Sequence, residues 1–199
     1  SNQAGRSNIL SRLEKYGIKI DAKNSKIQKI LDEVKDREFS GYSYDGADAS
    51  FELLANRLLG KVPEYLKVKS YNVNISKSDN IKTNANVVFL IDGKEISCDG
   101  EGNGPVNALD NAIRSNFKKV EKYYNFFSDL KLLDYKVRIL NTGTEATTRV
   151  LIESTDKTGV SWFTVGVSPN IIEASFKALI DSLDYKLFKE KAPANFNEK

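Results

Sequence analysis

The residues best placed to do chemistry lie in a glycine-rich stretch, Gly100-Glu101-Gly102-Asn103-Gly104-Pro105. A strand-like run enters it, and an amphipathic helical pattern begins at Val106. Glycines allow positive φ and a close backbone approach, and proline suits the first helical position. The helix then presents unpaired N–H groups and the positive end of its dipole, so the stretch predicts a site for a small anion such as a carboxylate. A plain strand-to-helix turn has the same composition and stays open as the alternative.

The same arrangement occurs a second time. Gly166-Val167-Ser168-Pro169 repeats Gly102-Asn103-Gly104-Pro105, again between a strand-like run and a helical pattern. Two further strand-like runs precede each copy, and Ser168 is a good cap for the last helix. The chain therefore predicts two pseudosymmetric β-β-β-α units, about 64–124 and 132–187, within a domain of residues 63–190. A parity change between Val68 and Tyr71 predicts a bulge in the first strand.

A helical subdomain is predicted ahead of these units, over residues 5–62. Its first helix can be capped by Ser7 and ended by Gly17. Because so few residues cannot support a core alone, these helices are expected to pack against the β-α units or another segment. The predicted fold class is α+β, a helical linker subdomain followed by two β-β-β-α units that form a regulatory dimer domain. The segment from Ala192 to Lys199 is predicted to be a frayed tail.

Composition excludes several classes of function. The net charge of +3 is spread over segments of mixed sign, which argues against a nucleic-acid partner. Strand aromatics such as Tyr71 and Trp162 leave an RNA-binding platform as a weak alternative, because no basic groove accompanies them. No apolar run is long enough for a membrane span or a signal peptide. A single cysteine, Cys98, fits a reducing compartment, so the chain is expected to be cytoplasmic.

The chain contains no histidine. This excludes histidine-activated nucleophiles, histidine metal ligands and imidazole acid–base chemistry. Carboxylates and lysines are present, but no close pair falls on a loop flanked by a binding signature. We therefore predict no catalytic and no metal-binding residue in this chain.

Four segments together resemble the C-terminal part of the 2-isopropylmalate synthase/citramalate synthase family. They are Tyr44-Asp45-Gly46-Ala47-Asp48-Ala49-Ser50-Phe51-Glu52-Leu53-Leu54, Gly102-Asn103-Gly104-Pro105-Val106, Leu133-Asp134-Tyr135-Lys136-Val137-Arg138 and Thr147-Thr148-Arg149-Val150. The sequences of these segments are most similar to the citramalate synthase branch. The resemblance covers the linker and regulatory regions of the family, and the catalytic TIM barrel with its metal-binding histidines has no counterpart here.

The resemblance implies that the parent enzyme is an acyltransferase that condenses acetyl-CoA with a 2-oxo acid, using a divalent metal. The region at hand is expected to hold no cofactor and to be inactive alone. Its implied role is to form a homodimer and to bind the end product, isoleucine, as a feedback inhibitor near the dimer interface. A leucine-binding region of an isopropylmalate synthase and a dimerisation module that has lost effector binding stay open as alternatives.

Carried over position by position, the resemblance implies an inhibitor pocket made of Gly102, Gly104, Val106, Leu132, Asp134, Tyr135, Ile139, Thr147, Val165, Val167, Ser168 and Pro169. Either helix N-terminus could take the carboxylate of an amino acid. Strand-edge carbonyls or Asp134 could take its ammonium, and apolar members such as Tyr135 could line an aliphatic slot. The aliphatic members fit a plain core equally well, and Asp134 could instead pair with Lys136.

Overall fold

The computed structural model describes residues 2–142 and 145–196. The three helices that come first are α1 (Asn2–Lys15), α2 (Ser25–Phe39) and α3 (Asp48–Leu58). The first β-β-β-α unit follows, with β1 (Lys67–Lys77), β2 (Ile81–Ile91), β3 (Lys94–Gly102) and α4 (Pro105–Arg114). A 3-10 turn (Phe117–Lys119) and the short helix α5 (Tyr124–Phe127) lead to the second unit, which contains β4 (Lys131–Thr142), β5 (Glu145–Thr155), β6 (Ser161–Ser168) and α6 (Ile171–Lys189). The predicted α+β class with two β-β-β-α units is confirmed.

Each unit has its own three-stranded antiparallel sheet, in the strand orders β1-β2-β3 and β4-β5-β6. The predicted bulge in the first strand is confirmed by a register shift between Val68 and Ser70. The second unit has a register shift at the matching place, between Leu132 and Asp134. The two halves therefore share details of the backbone as well as the order of their elements.

The glycines of the predicted stretch allow a close backbone approach, as expected, but they do not adopt positive φ. A Cβ on Gly100 would lie less than 3.0 Å from the Ala112 nitrogen, and one on Gly166 would lie 2.8 Å from the Ala178 nitrogen. Both glycines thus allow a helix backbone to lie against a strand backbone. Positive φ is not used: Gly104 has φ −165°, an extended conformation open to any residue. The contacts also show that Gly166 corresponds to Gly100 and not to Gly102.

Two predicted helix caps are wrong. Helix α1 begins at Asn2, so Ser7 lies inside it, although Gly17 does end the helix with φ +74°. Helix α6 is capped by Asn170, whose Oδ1 accepts hydrogen bonds from Ile172 N and Glu173 N. Ser168 remains at the end of β6, and its Oγ accepts a hydrogen bond from Asn170 N. The cap is displaced because β6 continues through the position where the sequence repeat placed the turn.

Two apolar clusters hold the molecule together. The larger one runs through both units and contains buried side chains of α4 and α6 such as Leu109 and Leu179. The smaller one joins the three N-terminal helices to Val165 and Val167 of β6. The helical segment therefore packs against the second β-β-β-α unit, as its small size requires. Within the described residues, no helix has the length and apolar character needed to cross a lipid bilayer.

The C-terminal segment is docked, and the prediction of a frayed tail is wrong for residues 192–196. Ala192 is buried, and Asn195 N donates a hydrogen bond to the Glu64 carbonyl. The Asn195 side chain accepts a hydrogen bond from Asp92 N and donates one to the Leu90 carbonyl. These bonds satisfy backbone groups next to the β2–β3 turn, which explains why the segment is held. Residues 197–199 of the predicted tail lie outside the described residues.

A buried cation fastens α6 to the second unit. Lys186 is 1% exposed, and its Nζ lies 2.6 Å from Asp156 Oδ2, 3.0 Å from Glu190 Oε1 and 3.3 Å from Asp129 Oδ1. Burial raises the pKa of Asp156, but hydrogen bonds from Lys186 and Thr158 outweigh it and lower the pKa to about 2. Both groups of the central pair are therefore charged at neutral pH.

Replacing Gly100 by alanine should destabilise the fold by about 3 kcal/mol or more, because the added methyl group meets helix backbone that has no room to move. Gly104→Ala is the matched control, since a Cβ there has no atom within 4 Å. Urea unfolding monitored by circular dichroism measures both variants. Equal free energies of unfolding would contradict the close-packing role of Gly100.

Replacing Lys186 by alanine should cost about 3–5 kcal/mol, because it leaves the buried Asp156 carboxylate without its cation. Lys177→Ala removes an exposed lysine that is paired with Glu173, and should cost less than about 1 kcal/mol. Thermal and urea unfolding measure the difference. Similar decreases in the free energy of unfolding for the two variants would show that the buried ion pair stabilises the fold no more than the exposed one.

Candidate functional site

An open cleft lies between the edge strand β4 and the start of α4. It has a volume of about 370 Å³ and is lined by Asn103, Gly104, Pro105, Val106, Asn107, Tyr135, Val137 and Ile171. We call it the β4–α4 cleft. A volume of this size suits a small ligand. The glycine turn and the first strand of the second unit, which the sequence offered as parts of one site, therefore do meet.

The N-terminus of α4 lacks a side-chain cap. Its N-cap residue is Gly104, no side chain among the described residues caps it, and Pro105 has no N–H. The amides of the first turn, such as those of Val106 and Asn107, lie at the positive end of the helix dipole. By contrast, the first-turn amides of α6 are occupied by the Asn170 side chain. Of the two anion sites that the repeat predicted, the one at α4 has no competing side-chain oxygen from the described residues.

The wall opposite the helix is apolar and partly exposed. Tyr135 is 44% exposed and Val137 is 40% exposed, and both are on the same face of β4. The matching residue of the first unit, Tyr71, is stacked against Phe176 with ring centroids 4.1 Å apart. No described aromatic ring is stacked on Tyr135 in this way. The ring of Tyr135 is therefore available to a ligand, whereas that of Tyr71 is covered by the chain itself.

A second cleft lies on the other side of the β6–α6 turn. It measures about 840 Å³ and is lined by Phe39, Ser40, Tyr42, Thr147, Val167, Ser168, Pro169, Glu173 and Lys177. We call it the α2–β6 cleft. It gathers four of the sequence-predicted site residues, but the amides of α6 that would bind a carboxylate are already capped. The residues expected to form one pocket thus divide between two clefts.

Three of the remaining predicted site residues are not on the wall of either cleft. Gly102 lies against the backbone of α4, where a Cβ would come within 3.0 Å of Ala108 N. Leu132 lines a narrow interior gap beside Leu130. Val165 is buried against the N-terminal helices, and its N–H donates to Ser50 Oγ at 2.9 Å.

The last two predicted residues are on β4 itself. Asp134 alternates with Tyr135 along the strand, so its side chain is on the opposite face and is exposed. Ile139 shares the face of Tyr135 and Val137 but is 71% exposed, further along the hairpin. Tyr135, Val137 and Ile139, together with Leu133 at the bulge, form an exposed apolar stripe on an edge strand. We call Leu133, Tyr135, Val137 and Ile139 the β4 stripe.

Several lining residues of the β4–α4 cleft were missed by the site prediction. Val137 could have been found, because it alternates with Tyr135 and Ile139 on one face of the strand. Ile171 comes from the other helix and reaches the cleft only through the packing of the two units. Within residues 2–142 and 145–196, no group of three or more His, Cys, Asp or Glu side chains is arranged to hold a metal ion.

Comparison with known proteins identifies the family. Residues 45–187 match the family described as the LeuA allosteric (dimerisation) domain. The chain belongs to this family. Among its relatives are the (R)-citramalate synthases of Geobacter sulfurreducens and Aquifex aeolicus, each 45% identical over 196 residues, covering 96% of this chain and 36% of the relative. The 2-isopropylmalate synthase of Aquifex aeolicus is 29% identical over 191 residues, covering 94% of this chain and 34% of the relative.

These matches confirm the resemblance seen in the sequence, including the greater similarity to citramalate synthases than to the isopropylmalate synthase compared here. The chain spans about a third of the length of these curated relatives. The match to the LeuA dimerisation domain covers α3 and both β-β-β-α units. The β4–α4 cleft and the β4 stripe therefore lie within the part of the chain that the family defines, whereas Phe39, Ser40 and Tyr42 of the α2–β6 cleft lie before it.

Proposed function

We propose that this chain is the allosteric feedback-regulatory and dimerisation region of a citramalate synthase-like acyltransferase, which condenses acetyl-CoA with a 2-oxo acid. The effector in this proposal is isoleucine, the end product of the pathway. The family match and the citramalate synthase relatives support this role. The observation that carries the effector site is the uncapped N-terminus of α4 beside an open apolar cleft.

An amino acid has three groups that the β4–α4 cleft can accommodate. Its carboxylate would accept hydrogen bonds from the first-turn amides of α4, at Val106 and Asn107. Its aliphatic side chain would lie against Tyr135, Val137 and Ile171. Its ammonium would be bound by carbonyl oxygens on the free edge of β4, which pairs only with β5 in the described sheet. Asp134 has no part in this arrangement because it is on the other face of the strand.

The rest of the proposed activity lies outside these 199 residues. The divalent metal and acetyl-CoA would be bound by a catalytic barrel of the longer enzyme, acting in the cytoplasm. The effector would act by linkage: an amino acid that prefers one arrangement of two regulatory domains shifts the population of conformations open to the attached barrels. The N-terminal helices, packed against β6, would transmit this preference.

The β4 stripe is the surface that we assign to homodimer formation. An edge strand with an exposed apolar face is a ready template for association with another chain. Because the stripe includes Tyr135 and Val137, a partner bound there would also cover the β4–α4 cleft. Effector binding and dimerisation would then be coupled through shared side chains.

Gly104→Asp should abolish isoleucine binding. The new carboxylate caps α4 and competes for the same amides as the effector, and it should also stabilise the chain by about 1 kcal/mol relative to Gly104→Ala. Gly104→Ala is the matched control, because a methyl group there contacts nothing within 4 Å and accepts no hydrogen bond. Isothermal titration calorimetry with isoleucine and leucine measures the effect.

Three outcomes of this titration would distinguish the isoleucine site, the leucine-binding alternative and a dimerisation module without an effector. Binding by the parent and the alanine variant but not by the aspartate variant supports the proposed site. Tighter binding of leucine would favour the isopropylmalate branch, although the two ligands differ by a displaced methyl group worth only about 1–3 kcal/mol. No heat from either amino acid would leave a dimerisation module without an effector.

Replacing Ile139 by lysine should weaken the homodimer at least tenfold, because it places a charge in the apolar stripe. Val160→Lys is the control: Val160 is also an exposed aliphatic residue, but it precedes β6 and is not part of the stripe. Sedimentation equilibrium measures the dissociation constants. If Val160→Lys dissociates the dimer and Ile139→Lys does not, the β4 stripe is not the interface.

A further inference from the structure

The contact between helices α3 and α6 places one positive side chain against two negative ones. The Arg57 guanidinium lies between two carboxylates of α6, with Nη1 2.9 Å from Asp181 Oδ1 and Nη2 2.9 Å from Asp184 Oδ2. One positive charge thus faces two negative charges. We call Arg57, Asp181 and Asp184 the α3–α6 charge cluster.

The two carboxylates differ in how well they are satisfied. Asp181 Oδ2 accepts a second hydrogen bond, from Ser50 Oγ at 2.9 Å. Asp184 Oδ1 is buried and has no hydrogen-bond partner among the described residues, and the Asp184 side chain as a whole is only 14% exposed. An unpaired buried carboxylate oxygen is costly unless the group is neutral. Asp184 is therefore the member of the cluster suited to hold a proton.

Among the described residues, the groups that face Asp184 do not supply a second positive charge. Arg57 faces it from α3, and Asp181 lies one turn earlier on α6. Tyr65, before β1, and Tyr123, before α5, are the other titratable neighbours among the described residues, and burial raises the pKa of each. Burial raises the pKa of Asp184 itself to about 7, against the opposing effect of Arg57.

The cluster is linked through Ser50 to a hydrogen bond from the backbone of β6. Ser50 Oγ, which donates to Asp181, accepts a hydrogen bond from Val165 N at 2.9 Å. This bond joins α3 to β6, and it can form only while the N-terminal helices are docked on the second β-β-β-α unit. The Val165 amide is therefore a local reporter of that docking.

We propose that the docked α3–α6 contact holds a proton on Asp184 and releases it when the helices separate, so that docking of the N-terminal helices is coupled to pH. A neutral Asp184 leaves one guanidinium paired with one carboxylate, which removes the excess negative charge. Separation exposes Asp184 to water, where a carboxyl group loses its proton near pH 4. The docked state thus binds one more proton than the separated state between about pH 4 and pH 7.

The direction of the effect follows from linkage. Because the docked state binds more protons, raising the pH through this window favours separation, and the effect levels off above about pH 7. The limiting slope is one proton, a tenfold change in the docking equilibrium for each pH unit. The inference concerns the joint between the helices and the units, and it does not depend on the proposed effector.

The test is hydrogen exchange of the Val165 amide in the full chain without ligand, measured by NMR from pH 5 to pH 8 and corrected for intrinsic exchange rates. The protection factor of the parent should fall by up to about tenfold per pH unit and then level off. In Asp184→Asn it should be independent of pH and, at pH 8, at least as high as in the parent. Asp181→Asn is the matched control, which should lower protection throughout because it disturbs the bonds to Arg57 and Ser50.

A second measurement keeps the proposal falsifiable if a variant folds poorly. Carbon-13 NMR of the parent should show the Asp184 carboxyl group titrating near pH 7. Titration near pH 4, a parent protection factor that does not vary with pH, or loss of protection in Asp184→Asn equal to that in Asp181→Asn would each overturn the proposal.

Discussion

The close approach of helix backbone to strand backbone at Gly100 and Gly166 is the constraint on which the other features depend. It lets α4 lie on β3 and α6 lie on β6 without intervening side chains, and the two helices also contact each other. This packing brings Ile171 of one unit beside the α4 terminus of the other. The β4–α4 cleft is thus a product of how the two units meet.

The two halves repeat the same backbone but differ at the helix N-terminus and at the aromatic residue of the first strand. In the first unit, Phe176 covers the Tyr71 ring, whereas the Tyr135 ring of the second unit is open. Conversely, Asn170 caps α6, while Gly104 leaves α4 uncapped. The uncapped helix and the uncovered ring face the same space. The two units therefore share a framework but differ in whether the helix N-terminus is capped and whether the ring is covered.

The N-terminal helices are fixed to the second unit by two different kinds of contact. Apolar side chains join them to Val165 and Val167, and the α3–α6 charge cluster adds directional bonds through Ser50. Apolar contact tolerates sliding, whereas bonds at 2.9 Å hold only one arrangement. A joint of this kind has one defined docked arrangement of the helices on the second unit.

Much of the architecture could be predicted from the sequence because it rests on local chemistry. The spacing of apolar residues, the two glycine turns and the parity change near Val68 specify helices, strands and a bulge within a few residues of each other. Family resemblance added the relationship to citramalate synthases. The full lining of the cleft could not be reached in this way: Gly104, Val106 and Tyr135 were expected there, whereas Ile171 was not. Tyr135 and Asp134 are neighbours in the chain, yet only the strand's orientation decides which one faces α4.

The tertiary structure also decided which of the two equivalent turns leads into a helix without a side-chain cap. Ser168 looked like a cap and Gly104 looked like its counterpart, but β6 runs on to Ser168, and Asn170 supplies the cap instead. The charge cluster joins residues more than a hundred positions apart, so no local pattern announces it. Sequence fixes what short stretches of backbone prefer, whereas burial and the pairing of distant charges exist only once the units have packed.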